Sequence, residues 1–245
     1  MRTETIKFPD QETLSVFPIE KSYLAQAITE LGLSGGHPVI VLVGGEIEEK
    51  HRDLTRQAMQ TIAKTAEDMI AVIIGGSTDR GVMAEIGQIR SQNGYKFPLV
   101  GVTPEELVTW PGGPLHTNFL WLGKQRWQLE SHYSHFILVP GSEFGDESSW
   151  IEDAAVLLSK GHQSVTVLIS GGEISRKEIE VSLENGRPVV ALSNTGGLAD
   201  ELARQPERNS LITLLPGGAE KTIAEDLQAA LSINERGENS LVSRS

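Results

Sequence analysis

Two stretches of the chain carry residue types and spacings suited to holding an anion. The first is Gly75-Gly76-Ser77-Thr78-Asp79-Arg80-Gly81-Val82-Met83, directly after the apolar run Met69–Ile74. A strand that ends in a glycine-rich turn and opens into a helix presents backbone N–H groups at the positive end of the macrodipole. Glycine there lets a ligand approach the backbone closely. Ser77 and Thr78 add hydroxyls, and Arg80 adds a cation for a phosphate. The bland alternative is that Ser77 or Thr78 caps the helix and Arg80 is solvated. The second stretch is Pro140-Gly141-Ser142-Glu143-Phe144-Gly145-Asp146-Glu147-Ser148-Ser149-Trp150, again an apolar run, a glycine turn and a helix start. Asp146 and Glu147 there could hold ribose hydroxyls, bind a divalent cation or cap the helix. No spacing supports a Ser-His-Asp triad. His132 and His135 lie three apart with no further ligand set, so no metal site and no cofactor are expected. Neither G-x-G-x-x-G nor the P-loop G-x-x-x-x-G-K-[ST] occurs.

The elements that must position these turns follow from periodicity. Val39–Val43 ends in Gly44-Gly45-Glu46, and Val165–Ile169 ends in Ser170-Gly171-Gly172-Glu173. Pro188–Leu192 and Leu211–Leu215 end the same way, in Gly, Ser or Thr. Uninterrupted apolar runs of this length suit strands buried on both faces. Between them, apolar residues recur at helical spacing: Leu54, Ala58, Ile62 and Ala66, for example, or Trp150, Ile151, Ala154, Ala155 and Leu158. Strands alternating with helices predict an α/β fold, a Rossmann-like, doubly wound and mostly parallel sheet with helices on both faces. Ligands of such sheets bind outside the strand C-termini at a topological switch point, the edge where these glycines fall. The candidate binding set is therefore Gly44, Gly45, Glu46, Gly75, Gly76, Ser77, Thr78, Arg80, Gly81, Val82, Gly141, Gly145, Asp146, Glu147, Ser148, Gly171, Gly172 and Glu173. VIVLVGGEI from Val39 and VTVLISGGEI from Val165 form a weak internal echo.

The remaining segments are less regular. Residues 1–18 predict an N-terminal β-hairpin that lies at an edge of the sheet, and residues 232–245 a polar tail. Residues 1–231 are expected to form one domain. Residues 105–134, with Trp110, Trp121 and Trp127, read as an insertion that either closes over the cleft as a lid or packs as surface elaboration.

Composition narrows the function classes. The 245 residues carry 21 Lys plus Arg against 33 Asp plus Glu, a net charge of −12, which disfavours a nucleic-acid partner. A single phosphate needs only a few local N–H groups and remains compatible. There are no cysteines, so disulfides and thiolate chemistry are excluded. No apolar run approaches the ~18 residues of a membrane span, and the opening residues lack the apolar core of a signal peptide. A cytoplasmic location and no membrane partner are the expectation; a homo-oligomer stays open.

Taken together, Gly75–Pro104 and His135–Trp150 resemble the two signatures of the SLOG superfamily, named for the Smf/DprA and LOG proteins. The group it most resembles is prokaryotic (SLOG in TRPM), similar to the N-terminal cytosolic region of melastatin-type TRP channels. Its Gly-Gly-Thr-Asp-x-Gly-Val-Met, His-x-His-Phe-x-Leu-Val-Pro-Gly and Gly-Asp-Glu-Ser elements correspond to Gly75–Met83, Ser134–Gly141 and Gly145–Ser148. The first carries one extra residue here, and the histidines are spaced HYSH. The resemblance spans about residues 39–204. It implies a Rossmann-like sheet, a nucleotide-derived small molecule as partner and a sensor role, with ADP-ribose-like ligands the channel precedent. It also implies an alternative, the nucleotide phosphoribohydrolase (N-glycosidase) activity of LOG proteins. That activity uses an Arg before the second signature and a Glu within it. Arg126 is loosely placed for the Arg. Ser148 and Ser149 stand where the Glu pair would be, which leaves Glu147 as the only substitute and tilts the expectation away from an enzyme.

Overall fold

A computed structural model of the chain describes residues 1–114, 126–205 and 209–232. Strand β3 (Val39–Gly44) is buried from Val39 to Val43 and lies near the centre of a nine-stranded sheet. In chain order the strands are β1 (Arg2–Lys7), β2 (Glu12–Phe17), β3, β4 (Val72–Gly75), β5 (Leu99–Pro104), the two-residue pair β6 (Val108–Thr109) and β7 (Trp127–Gln128), β8 (His135–Val139), β9 (Ser164–Ile169), β10 (Val189–Ser193) and β11 (Ile212–Pro216). The helices are α1 (Leu24–Glu30), α2 (Arg52–Met69), α3 (Gly81–Gln92), α4 (Ser148–Leu158), α5 (Glu173–Glu184), α6 (Gly197–Arg204) and α7 (Glu220–Leu231).

Strand order across the large sheet is β1-β2-β8-β5-β4-β3-β9-β10-β11. Every pairing in it is parallel except β1 with β2. From β3 the chain winds outward through β4, β5 and β8, then returns to place β9 on the other side of β3. The direction of winding therefore reverses between β3 and β9, where Gly44 faces Ile169 in register. That is the switch point of a doubly wound sheet.

Side-chain alternation along the strands divides the core into two layers. Ile40 and Leu42 of β3, Ile73 of β4, Phe136 and Leu138 of β8 and Val167 of β9 point to one face, against the apolar stripes of α2, α3 and α7. Val39, Val41, Val43, Val72, Ile74, Val100 and Ile137 point to the other, against α1, α4, α5 and α6. Burying a side chain of this size stabilises by about 1.5–3 kcal/mol, so the uninterrupted apolar strands drive the three-layer arrangement. The α2 stripe is largely alanine (Ala58, Ala63, Ala66), which lets that helix lie close to the sheet.

The N-terminal hairpin extends the sheet. Its β2 pairs in parallel with β8, Leu14 opposite His135. In residues 105–134 the structure finds β6, β7 and a short 3-10 turn, Glu105–Leu107. Trp121, the rest of 115–125 and the expected tail beyond residue 232 lie outside the described residues.

One polar pair is locked beneath the second core layer. Arg187, buried between α5 and β10, pairs with the buried Glu152 of α4 through both guanidinium nitrogens, Nη2 to Oε1 at 2.8 Å, and its Nε donates to Ser164 Oγ at 3.1 Å. Removing one partner of a buried pair leaves the other charge uncompensated. We predict that Arg187→Met destabilises the protein by about 3–5 kcal/mol in urea unfolding, and that adding Glu152→Met restores most of the loss. A loss below about 1 kcal/mol would show that the pair is not shielded from water.

Candidate ligand-binding cleft at the switch point

The glycine turns after β3 and β9 do more than end their strands. The Gly45 carbonyl accepts from the Val82 N–H at 3.1 Å, so the β3 turn lies across the start of α3. In the second half of the sheet, the Gly171 carbonyl accepts from the Leu198 N–H at 2.9 Å, across the start of α6. Each helix begins with a glycine at positive φ, Gly81 at 51° and Gly197 at 50°. A Cβ at either position would meet the opposing carbonyl oxygen at 2.3 Å. The echo between VIVLVGGEI and VTVLISGGEI thus has a structural counterpart: the same lock is used twice.

A cavity of about 490 Å³ opens beside this junction, within the ~300–1,000 Å³ of small-molecule sites. Five strand ends contribute to it. Gly44, Gly45 and Glu46 follow β3; Gly76, Ser77, Thr78, Arg80, Gly81, Val82 and Met83 follow β4; Thr103 ends β5. Phe144 and Glu147 follow β8, and Gly172, Glu173, Ile174, Ser175 and Glu178 follow β9. Trp127 of β7 forms a further wall.

The turn after β4 is held from several sides. Tyr133, stacked on Phe136, donates its hydroxyl to the Gly76 carbonyl at 2.9 Å. Residues 127–130 are stitched to the turn by an antiparallel bridge between Thr78 and Leu129. Asp79 N–H donates to the Gln128 carbonyl (2.8 Å), and Glu130 N–H to the Ser77 carbonyl (2.9 Å). The last part of the irregular segment is therefore a fixed wall of the cleft. The helix-capping alternative for Ser77 or Thr78 does not hold: the N-cap of α3 is Arg80, with no side-chain cap. Ser77 is a fully buried lining residue whose side chain packs against Gly101 of β5, and its hydroxyl finds no hydrogen-bond partner among the described residues. A buried hydroxyl without a partner is costly.

Among the described residues, Arg80 is the one cation in the lining. Its Nε donates to Glu46 Oε1 at 2.5 Å, and its guanidinium carbon lies 3.7 Å from the centroid of the Trp127 ring. Further in, the lining is acidic. Glu147 is buried, and burial raises its carboxyl above the ordinary range, against the Gly145 N–H that donates to Oε2 at 2.7 Å. Glu178, half-buried on α5, has its carboxyl pushed up to about 8 by loss of water and then by the neighbouring Glu147 charge. Two partly desolvated carboxyls this close cannot both ionise cheaply, so Glu178 keeps its proton at neutral pH.

Other candidates from the sequence stand apart from the lining. Gly75 is buried at the end of β4, and Gly171 forms the lock to α6. Gly141, Gly145, Asp146 and Ser148 shape the turn before α4 without bordering the cavity. The Asp146 carboxylate accepts from the Ser142 and Glu143 N–H groups at 2.7 and 3.1 Å, a local loop closure. Arg126 is directed away, its Nε donating to the Glu106 carbonyl at 2.6 Å. His132 pairs through Nδ1 with the buried Glu130 at 2.5 Å, and burial followed by the Arg90 charge pushes the His135 imidazole down to about 4. No metal-ligating cluster occurs among the described residues.

Glu178, Trp127, Thr103, Phe144, Ile174 and Ser175 are lining residues that the strand-end glycines do not reveal. One signal for Glu178 existed. It lies four residues after Ile174 and three after Ser175, hence on the same face of α5.

The family model described as SLOG in TRPM, prokaryote, matches residues 37–240. The chain belongs to this family. The match leaves β1, β2 and α1 outside it. No curated protein matches the chain in sequence. Among solved structures, the crystal structure of TM1055, a structural-genomics target, is similar with a TM-score of 0.54 at 18% identity, covering 78% of this chain and 98% of that one. At that identity the likeness shows the fold alone, and 124 solved chains share a match, so the fold by itself discriminates little between functions.

Two measurements follow from the geometry. Gly81→Ala and Gly197→Ala should each destabilise by about 1–3 kcal/mol in urea unfolding, because both force a side chain into left-handed backbone against a carbonyl. Equal stability in either would place that lock outside the folded state. Between the ordinary carboxylate range and about pH 8, folded Glu178 holds a proton that the unfolded chain has lost. Its contribution to stability therefore falls as pH rises through that window, by at most about 1.4 kcal/mol per pH unit, and levels off above it. Glu178→Gln should flatten the stability profile between pH 5 and 8; an unchanged slope would mean that the carboxyl is hydrated.

Proposed function

We propose that this chain binds a nucleotide derivative in the switch-point cavity, as a sensor or binding protein, with an ADP-ribose-like molecule the favoured ligand. One observation carries the reading: the cavity has two chemically different ends. At one, Thr78, Gly81 and Arg80 offer a hydroxyl, a helix start and a cation, which suit a phosphate. At the other, Glu147 and Glu178 offer one carboxylate and one protonated carboxyl, which suit ribose hydroxyls or the polar edge of a base. Family membership and the shared fold support a nucleotide-type ligand. The net charge of −12 argues against nucleic acid, and no described helix is long and apolar enough to cross a membrane.

A second reading has its own support. The carboxyl pair restores acid–base groups that Ser148 and Ser149 cannot supply. In this reading Glu178 gives its proton to the departing base as the C1′–N bond breaks. Glu147 takes a proton from the water that bonds to C1′, and ribose 5-phosphate and the free base leave. Acid–base groups of this kind contribute about 10²–10⁴-fold.

A thermal-shift series with nucleoside monophosphates, dinucleotides, cyclic nucleotides and ADP-ribose, followed by product analysis of each hit, separates the readings. A ligand at a hundred times its Kd stabilises by about 2.7 kcal/mol, roughly 5–10 °C for a chain of this size. A shift with the ligand intact supports binding. Release of ribose 5-phosphate, reduced at least about 100-fold by Glu178→Gln, supports hydrolysis. No shift with any compound removes the nucleotide reading.

A further inference from the structure

We infer that Glu46 occupies on Arg80 the place of the ligand's phosphate, and that it sets the cleft's selectivity by admitting only an anion able to displace it. The inference builds on the proposed phosphate end of the cavity and assigns to it a residue that excludes weaker anions.

Four observations lead there. Arg80 is the one cation among the described lining residues, and the Glu46 carboxylate holds its Nε at 2.5 Å. The pair is not a buried structural bond: the Arg80 and Glu46 side chains are 43% and 66% exposed. A pair this exposed contributes little to folding, so it can open at small cost. Beside it, Ser77 is a fully buried lining residue whose hydroxyl has no partner among the described residues, so the floor of the turn keeps unused hydrogen-bonding capacity. Finally, the guanidinium is stacked on Trp127, whose own segment is stitched to the turn by the Thr78–Leu129 bridge. One side of the clasp is thus fixed, and Arg80 and Glu46 are the parts that can move.

The internal repetition of the fold separates what is structural here from what is added. Both halves lock a turn carbonyl onto a helix start, Gly45 onto Val82 and Gly171 onto Leu198. In the first half, Glu46 follows the locking carbonyl and Arg80 precedes the positive-φ glycine. In the second half Gly172 and then Glu173 follow the locking carbonyl, and Gly196 precedes the glycine. The lock therefore needs no base before its glycine. Both halves line the cavity, and the pairing of a turn acid with a helix-start base is made in the first.

The chemistry of the exchange fixes the selectivity. A carboxylate brings one negative charge and two acceptor oxygens. A phosphate monoester brings a charge near −1.5 to −2 and three acceptor oxygens at neutral pH, and a diphosphate bridge brings about −2 over two adjacent phosphoryl groups. Either carries more charge to Arg80 than Glu46 does. An acetate or formate ion, the equal of Glu46 in charge, gains nothing by the exchange. Because the guanidinium lies over the Trp127 ring, a change of the anion on Arg80 alters the surroundings of the indole.

Inorganic phosphate and acetate are the probes, titrated by calorimetry and by tryptophan fluorescence, with Trp127→Phe identifying the reporting residue. Glu46→Gln keeps the shape of the side chain and removes its charge; matched unfolding midpoints confirm an intact fold. The expected result is roughly 3- to 10-fold tighter phosphate binding in Glu46→Gln than in the unaltered protein, from loss of a competing exposed ion pair. Acetate binding should become detectable in the variant. Arg80→Gln should abolish both, with or without the Glu46 change, and the Trp127 signal should respond to phosphate only when Arg80 is present. Equal or weaker phosphate binding in Glu46→Gln, or undiminished binding in Arg80→Gln, overturns the inference even where nucleotides bind. If phosphate shows the expected pattern and no nucleotide shifts the melting temperature, the nucleotide reading falls and the displacement of Glu46 stands.

Discussion

The whole arrangement depends on one backbone contact made twice: a turn carbonyl pressed onto the first amides of the helix from the neighbouring strand. A helix start leaves amides without partners, and a glycine turn leaves carbonyls that point away from its own strand. Joining the two fixes the β3 turn to α3 and the β9 turn to α6, and the adjacent pairing of β3 with β9 brings both junctions to the centre of the sheet. The positive-φ glycines at 81 and 197 are the geometric condition for that closeness. The cleft is then the space left between locked turns, and its walls are held by the same bonds that hold the fold.

This origin explains the uneven chemistry of the cleft. The amide at Val82, which a generic helix-start anion site would offer to a ligand, is already taken by Gly45. Beside it stand the Thr78 hydroxyl and one guanidinium with a resident acid on it. At another wall, Glu147 before α4 and Glu178 of α5 lie close enough for the first charge to raise the second carboxyl. A chain with a strong excess of acids thus lines its cavity with a single paired cation, among the described residues, and a carboxyl that ionises late.

Much of the fold was readable because apolar strands and helical stripes need only local pattern. The runs at 39–43, 165–169 and 188–192 announce buried parallel strands, and the glycines that follow them announce the edge where a cleft forms. The same route named Ser77, Gly81 and Glu46, which line the cavity. The sequence did not reveal which amide already had a partner, since that depends on turns more than thirty residues apart meeting through space. Glu178 sits inside a helix with no turn or glycine to mark it, and only the shared face with Ile174 and Ser175 hinted at its direction. Asp146 looked available for a ribose, yet it closes its own loop through Ser142 and Glu143. Trp127 belonged to a segment without periodicity, where tertiary stitching to the Thr78 turn decides the conformation.

The pairing of residues 39–44 with 164–169 also bears on how the protein is made. As the chain leaves the ribosome, β3, β4 and β5 can pair early, but the inner edge of β3 has no neighbour until β9 emerges. For that interval a fully apolar strand shows its unpaired amides and carbonyls to the surroundings, the condition that invites wrong partners. The N-terminal ribbon waits in the same way, since β2 docks only on β8. Contacts this far apart in sequence are slow to form. The cleft therefore cannot form before β9 and α5 have emerged, and a nascent chain arrested before residue 164 is a candidate client for chaperones.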